Sequence, residues 1–267
     1  MSDVVVVEIR DRVATVTLNR PDKLNAVSPA VFDGLYEAGQ QVAEDDDVRA
    51  VILRGEGRAF CAGLDLQSLQ SFGEGPRRSE AEAQSAQPDG RTAQAGFAIW
   101  HTMSKPVVAA VQGYALGAGF QLALSADIRI AAEGAQMSVF EITYGLVPDL
   151  GGTFLLPRIV GPSRALELTW TAHRITTEEA SQWGIVNRVV APEKLDDVAR
   201  ALALDLASRP PLPIGFAKKL VDTAWSTTIE EANRGEVEAQ IKCLQSNDMR
   251  EAVAAAFEKR SGSYTGT

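Results

Sequence analysis

The chain has 267 residues, of which 45% are hydrophobic and 23% are charged, and its formal net charge is −9. This composition is typical of a soluble globular protein with a substantial core, and the negative charge argues against general binding of nucleic acid or of anionic membranes. Because there are only two cysteines and no basic segment ahead of the apolar residues 4–7, we expect no disulfide framework, no secretory signal and a cytoplasmic location.

The N-terminal part of the sequence predicts strands followed by a helix and a further buried strand. Runs of β-branched and apolar residues predict strands over 4–8, 13–18 and 48–54. Ser28 and Pro29 are residue types typical of a helix N-cap and first helical position, so a helix is predicted over 29–44. A glycine-containing loop over 59–66 follows the third strand directly.

The middle of the sequence changes character twice. Residues 67–95 are rich in Gln, Ser, Gly and Glu, which predicts a mobile surface segment that is either a plain insertion or a lid over the substrate tail. A second glycine-containing loop, 113–119, then separates a buried strand from a helix. Further predicted elements are helices over 95–103 and 118–125 and strands over 106–112 and 128–131. Polar residues interrupt this apolar region, so we expect no membrane span.

The C-terminal part is predicted to be mainly helical. Residues 138–152 are predicted to be mostly irregular, and Gly161-Pro162 separates two helices. A short helix over 177–183 and a short strand over 186–190 follow. Beyond Pro192 the pattern is helical to about residue 259, with a break near 210–213. We therefore predict an α/β fold with a core over 1–195 and a helical oligomerisation region over 196–267.

The two loops at 59–66 and 113–119 share one chemical property. Each is predicted to end a buried strand and to open a helix, where backbone N–H groups point outward and carry partial positive charge. Two such loops, brought together, can hold one oxygen atom that becomes negative during a reaction. This arrangement predicts an enzyme that stabilises an oxyanion.

Several motifs, taken in order along the chain, resemble those of one family. They are RPDKLNA at 20–26, FCAGLDL at 60–66, GYALGAG at 113–119, GLVPDLGGT at 145–153, WGIVNRVV at 183–190 and EKR at 258–260. Together they resemble the crotonase family, the enoyl-CoA hydratase/isomerase superfamily. The resemblance implies a spiral of strand–strand–helix turns, a C-terminal helical trimerisation region, and assembly as a homotrimer or as a homohexamer.

The resemblance also gives the two loops a specific role. It implies that the backbone N–H groups of Leu64 and Ala118 form an oxyanion hole for the carbonyl of an acyl-CoA thioester. Gly63 and Gly117 allow the backbone to approach the substrate closely, and the helix after Ala118 directs its positive end at the oxygen. The reaction intermediate would then be a thioester enolate.

Three residues decide which reaction follows. Two glutamates hold the water in the family's hydratases, and the second of them matches Glu141 whereas the first falls on Gln121, which cannot exchange a proton at neutral pH. Asp149 supplies another carboxylate, at the spacing from Glu141 that the family's dienoyl-CoA isomerases show. The ring-opening isomerases of phenylacetate breakdown carry an aspartate in a similar Pro-Asp-x-Gly-Gly-Thr setting. A proton shuttle between Glu141 and Asp149 is therefore expected.

The remaining residues implied by the resemblance bind CoA. Lys23 and Leu24 match the adenine loop, with the backbone of Ala62 nearby. Lys259 matches a lysine that reaches the nucleotide of a neighbouring subunit, while the usual aromatic residue is displaced by one position to Phe257. Other positions implied to contact substrate are Gly63, Asp65, Leu66, Gly117 and Gln121, of which Asp65 also suits a helix cap. We expect no metal site and no cofactor beyond the CoA of the substrate, since His101 and His173 form no metal-ligand pattern.

Three functions remain open from the sequence. The first is an enoyl- or dienoyl-CoA isomerase in which Glu141 and Asp149 shift a double bond without adding water. The second is an enoyl-CoA hydratase of fatty-acid β-oxidation, in which Asp149, or a water held by Gln121, replaces the missing glutamate. The third is an acyl-CoA binding protein without catalysis. A hydrolase or a decarboxylase on the same scaffold is also compatible with the motifs.

Overall fold

The computed structural model describes residues 3–68, 70, 92 and 94–267. Most of the predicted surface segment over 67–95 lies outside these residues. The described strands are β1 (Val5–Arg10), β2 (Val13–Leu18), β3 (Ala50–Gly55), β4 (Val107–Val111), β5 (Tyr114–Leu116), β6 (Ile128–Ala132), β7 (Gln136–Ser138) and β8 (Arg188–Val190).

The helices among these residues lie between strands up to β8, three of them in succession between β7 and β8, and then continue alone. They are α1 (Pro29–Glu44), α2 (Ala95–Thr102), α3 (Ala118–Ser125), α4 (Gly152–Val160), α5 (Pro162–Thr171), α6 (Thr177–Gln182), α7 (Leu195–Ala207), α8 (Pro211–Thr223), α9 (Ile229–Gln245) and α10 (Asn247–Glu258). Short 3-10 helices occupy Pro21–Lys23, Glu141–Tyr144 and Pro192–Lys194.

A six-stranded sheet with the order β1-β2-β3-β4-β6-β8 forms the centre of the fold. The first pair of strands is antiparallel and every other pair is parallel. Its buried strands carry side chains alternately to two faces. Val51 and Leu53 belong to the larger apolar core, with helices α1 and α2, whereas Ala50 and Ile52 pack with helix α7 on the other face.

A second, smaller layer lies beside the sheet. Strands β5 and β7 pair in parallel, and isolated bridges extend this layer through Cys61 to Ala115 and through Met137 to Ile175. Strands β3, β4 and β6 are thus each followed by a segment of the second layer, which produces the strand–strand–helix spiral. Because these segments run parallel, the loops that follow them emerge at one edge.

The C-terminal helices differ sharply from the core. Helix α7 packs on the sheet through buried Leu195, Ala199 and Ala203, whereas helices α8 and α9 contain no buried residue. The predicted boundary near residue 195 coincides with the start of α7 and remains a prediction. None of the helices among the described residues is long and apolar enough to cross a membrane.

Most predicted elements are present within a few residues of the predicted bounds. Two were missed, β5 and β7, because three residues are too few to show a periodic pattern. The predicted C-terminal helical stretch has two more breaks than expected. These occur at the N-caps Thr228 and Ser246, whose side chains accept hydrogen bonds from the backbone of Glu231 and Met249.

Candidate active site

The two glycine-containing loops meet because neighbouring parallel segments carry them. Cys61 N–H donates to the carbonyl of Tyr114 at 2.9 Å, and Leu116 N–H donates to the carbonyl of Cys61 at 3.0 Å. Gly119 lies so close to Cys61 that a Cβ atom at position 119 would stand 2.2 Å from the Cys61 carbonyl oxygen. Only glycine fits at such a contact, so the spacing of the loops depends on it.

The backbone N–H groups of Leu64 and Ala118, one in each loop, are available to a ligand. The amides on either side of Leu64 are occupied, since Gly63 N–H bonds the Cys61 thiol and Asp65 N–H donates to Val27. The N–H of Leu64 donates to no described residue, and neither does that of Ala118, the first residue of helix α3. Such free amides can bind an anionic oxygen, and the helix dipole of α3 adds to the attraction.

Both loops line one cavity of about 400 Å³. Nine residues predicted from the sequence line it: Lys23, Ala62, Gly63, Leu64, Asp65, Leu66, Gly117, Ala118 and Glu141. The cavity therefore combines free backbone donors with an acidic side chain, as an enolate-forming site requires.

Two acidic residues line this cavity, Asp65 and Glu141, and only 6% of Glu141 is exposed. It begins the 3-10 helix Glu141–Tyr144, and its carboxyl group lies against Gly117, where a Cβ atom would stand 3.2 Å from Oε1. Burial raises the pKa of this carboxyl above its ordinary value, and the nearby negative charge of Asp149 raises it further. Its Oε2 atom is buried and has no hydrogen-bond partner.

Gln121 holds the other oxygen of Glu141. Its Nε2 donates to Glu141 Oε1 at 2.6 Å, and its own Oε1 accepts from the N–H groups of Leu150 at 2.8 Å and Gly152 at 2.9 Å. Two backbone donors on one atom identify that atom as the amide oxygen. Gln121 thus connects helix α3 to Glu141 and to the segment that carries Asp149.

Asp149 lies beside this arrangement rather than inside it. The residue is exposed, and it is not among the described residues that line the cavity. The protein that surrounds its carboxyl still raises the pKa above its ordinary value, and its charge acts on Glu141. The two acids are therefore electrostatically coupled. The sequence predicted both in one cavity; of the described residues, Glu141 lines that cavity and Asp149 does not.

Polar contacts hold the first donor loop against the segment 20–27. Arg20 pairs with Asp65 at 3.0 Å, and this hydrogen bond holds the pKa of that carboxyl below its usual range. The second Asp65 oxygen accepts from Gln67 N–H at 3.1 Å, the cap that the sequence suggested. Leu24, with φ of +50°, accepts from Ala62 N–H at 2.9 Å. These bonds tie the predicted adenine loop to the first donor loop.

Some residues predicted to bind CoA do not line this cavity, and some residues that line it were not predicted. Phe257 is 86% exposed and Lys259 caps helix α10, and neither lines this cavity, so their predicted roles depend on a neighbouring subunit. Lining residues that were missed are Ala26, Gln67, Leu116, Phe140, Tyr144 and Leu146. Apolar residues inside an irregular segment, as at Tyr144 and Leu146, were the available signal for a substrate wall.

Comparison with known proteins agrees with this geometry. The sequence model of the enoyl-CoA hydratase/isomerase family matches residues 8–267. The 1,2-epoxyphenylacetyl-CoA isomerase of Escherichia coli (strain K12) is 36% identical over 268 residues, which cover 100% of both chains. The crotonyl-CoA hydratase of Syntrophomonas wolfei is 33% identical over 261 residues, which cover 97% of each chain.

Solved structures of enoyl-CoA hydratases also share the fold of this chain. The enoyl-CoA hydratase from Mycobacterium tuberculosis H37Rv superposes with a TM-score of 0.88 at 34% identity, over 99% of this chain and 100% of that chain. Sequence, fold and the paired donor loops therefore lead to one assignment. The chain belongs to the crotonase, or enoyl-CoA hydratase/isomerase, family and is an acyl-CoA enzyme of that family.

Proposed function

We propose that this protein is an isomerase that shifts a double bond in an enoyl- or dienoyl-CoA thioester. One observation supports this most directly. The Glu141 carboxyl, with a buried and unpartnered Oε2, lies in the same cavity as the free N–H groups of Leu64 and Ala118. A base is thus available next to the position where an enolate oxygen would be stabilised.

The reaction begins at the thioester carbonyl. Its oxygen accepts hydrogen bonds from Leu64 and Ala118, which makes the protons on the adjacent carbon more acidic. Glu141, which lies against Gly117, takes one of these protons and leaves an enolate. One donor of this kind is typically worth about 3–4 kcal/mol in the transition state.

The second half of the reaction returns a proton further along the chain. The electrons of the enolate move back through the conjugated system, and Asp149 in its protonated form donates to the distal carbon. Burial by the surrounding protein raises the pKa of the Asp149 carboxyl above its ordinary value, which increases the protonated fraction at any given pH. No water enters the product, and the two acids are reset by proton exchange.

Other parts of the proposal concern binding and assembly. Lys23, which lines the cavity, would contact the phosphates or adenine of CoA. CoA belongs to the substrate, so the reaction requires no resident cofactor or metal. Lys259 and Phe257 would act across an interface in a homotrimer or hexamer, and we propose a cytoplasmic location.

The test compares three substrates and one acidic variant. Wild type is assayed with a 3-enoyl-CoA, a 3,5-dienoyl-CoA and crotonyl-CoA by the absorbance of the conjugated thioester. We expect isomerisation to exceed hydration, and Asp149→Asn to lower isomerisation by about 10²-fold, the lower range for a positioned acid or base. Asp197→Asn, an exposed aspartate on α7, is the matched control and should change nothing.

Hydration is the second candidate, since a relative of nearly equal identity is a crotonyl-CoA hydratase. Rapid hydration of crotonyl-CoA by wild type, unaffected by Asp149→Asn, would establish that function instead. Binding of CoA esters without turnover of any of the three substrates would identify a binding protein without catalysis.

A further inference from the structure

Two aromatic side chains lie next to the base in the cavity. Phe140 and Tyr144 both line it, and their ring centroids are 6.0 Å apart with the ring planes at 71°. In the chain they stand on either side of Glu141. The proton transfers described above use the carboxyl group of Glu141 and neither of these rings, so the aromatic pair is available for another role.

The geometry of the short helix explains why Tyr144 faces the same cavity as Glu141. A 3-10 helix has about three residues per turn, so side chains three positions apart lie above one another. Glu141 and Tyr144 are the first and last residues of the 3-10 helix Glu141–Tyr144, and both line the cavity. Ile142, on the same turn, is 41% exposed and is not among the described lining residues.

Contacts at both ends of this turn hold the aromatic pair in place. The guanidinium carbon of Arg174 lies 5.8 Å from the centroid of the Phe140 ring, within the range of a cation–π contact. Gly145 ends the turn with φ of +70°, a conformation that glycine adopts readily. Leu146 N–H then donates back to the carbonyl of Glu141 at 3.1 Å, which closes the turn and fixes its side chains relative to one another.

We propose that Tyr144 is a specificity-determining residue that selects acyl groups carrying an aromatic ring close to the thioester. Tyr144 and Phe140 together are here called the aromatic wall. The inference rests on the acyl-CoA function proposed above, and it names the class of acyl group that the same site takes.

The aromatic wall can distinguish a flat ring from a saturated one. Aromatic rings attract each other through offset-stacked or edge-to-face contacts, and a ligand ring in the cavity can make such a contact with either residue of the wall. One aromatic pair adds roughly two- to tenfold in affinity beyond the burial of area. A saturated acyl group gains only the burial of its apolar surface.

The size of the cavity and the exposure of its wall favour a compact acyl group. The volume of about 400 Å³ is towards the lower end of the range of roughly 300–1,000 Å³ for small-molecule sites. Tyr144 is 50% exposed and Leu146 is 39% exposed, although both line the cavity. A ring near the carbon on which Glu141 acts would cover this apolar surface, because the wall flanks that residue.

Equilibrium binding of two CoA thioesters tests the aromatic wall without turnover. 3-Phenylpropanoyl-CoA and 3-cyclohexylpropanoyl-CoA have the same number of carbons and differ in the aromaticity of the ring, and neither carries an acyl double bond to shift or hydrate. Isothermal titration calorimetry is expected to show that wild type binds the phenyl ester roughly two- to tenfold more tightly than the cyclohexyl ester.

Variants at one position assign this preference to the ring. Tyr144→Leu keeps an apolar side chain but removes the ring, so the two esters should bind equally. Tyr144→Phe keeps the ring and should retain the preference. Ile142→Ala changes the same turn outside the cavity lining, so it is the control and should bind as wild type does. Thermal unfolding of each variant shows whether it is folded.

The same selectivity should appear in turnover. With 4-phenyl-3-butenoyl-CoA as substrate, Tyr144→Leu is expected to raise KM roughly two- to tenfold and to change kcat little, because the ring binds the acyl group and takes no part in proton transfer. With 3-hexenoyl-CoA both constants should stay near those of wild type.

The outcomes separate this inference from the proposed function. If wild type binds the two esters equally, or if a folded Tyr144→Leu keeps the preference for the phenyl ester, the inference is wrong and the isomerase function stands. If the preference depends on Tyr144 but the protein isomerises neither enoyl-CoA, the isomerase proposal is wrong and the assignment of the acyl group stands.

Discussion

The two sides of the cavity consist of different chemical groups. One side, the candidate oxyanion hole, consists of backbone N–H groups at Leu64 and Ala118 and depends on close contact between two loops. The other side, here called the acid side, consists of Glu141, whose carboxyl is held by Gln121, together with Asp149 beside the cavity. Backbone donors are lost only when loops move apart, whereas an acid is lost by changing one side chain.

Because of this difference, substitutions on the two sides are expected to have different effects. A change on the acid side alters proton transfer and leaves binding intact, because the donors still hold the thioester. A change at the loop contact alters the position of the donors and the fold around them. A substitution on one side of the cavity is therefore expected to spare the other side.

The largest effect is expected from Glu141→Gln. The variant keeps the volume and the hydrogen bond to Gln121 but cannot take a proton, so kcat is expected to fall by about 10²- to 10⁴-fold. Steady-state kinetics should show little change in KM, and Glu44→Gln, an exposed position at the end of α1, is the control. Full activity in Glu141→Gln would show that another group is the base.

The wild-type pH profile provides a further check on the same residue. The pKa of Glu141 is raised above 4.5, so the ionised base forms only at higher pH than for an ordinary glutamate. The acidic limb of kcat/KM should therefore lie above pH 4.5, and an acidic limb below that value would contradict the assignment.

A smaller loss is expected from Gly119→Ala on the other side of the cavity. The added Cβ atom would stand 2.2 Å from the carbonyl oxygen of Cys61, so the loops must separate and one donor is displaced. Loss of one such donor typically costs about 10²–10³-fold in kcat. Gly235→Ala is the control, because its Cβ would meet only the flexible end of Leu220 at 3.1 Å. Unchanged kcat in a folded Gly119→Ala would separate catalysis from the loop contact.

The smallest effect concerns stability and has the opposite sign. Ionised Glu141 is buried, so its charge destabilises the folded state above the pKa of 4.5 that the residue has when exposed. Glu141→Gln should raise the Tm near neutral pH by roughly 2–4 °C, the shift that about 1 kcal/mol gives in a domain of this size. Below pH 4.5 the glutamate is protonated in both states and the difference should vanish. A Tm that is lower, or a difference independent of pH, would contradict this account.

The donor loops could be predicted from the sequence because their signals are local. Gly63 and Gly117, both at positive φ, stand between a strand and a helix, and that pattern is visible within ten residues. The acid side depends on contacts across the chain. The bonds of Gln121 to Glu141 and to Leu150 span 20 and 29 residues, and no local pattern encodes them.

The C-terminal region shows another limit of sequence reasoning. Its helices could be predicted, yet helices α8 and α9 bury none of their residues within this chain. Trp225, between these helices, and Ile229, the first residue of α9, are 67% and 68% exposed. Periodicity identifies an apolar stripe but does not say whether the same chain or another covers it. The positions of Phe257 and Lys259 relative to a bound CoA therefore depend on which chain covers that stripe.

Cys61 offers a direct way to observe the junction of the two loops. Burial raises the pKa of its thiol to about 12, so almost no thiolate is present near neutral pH, and the sulfur is closed off from reagents. An alkylating probe therefore reaches this atom only while the loops are transiently open. With Cys243 replaced by serine, the labelling rate becomes a native reporter of that opening, and a thioester that bridges both amides should slow it.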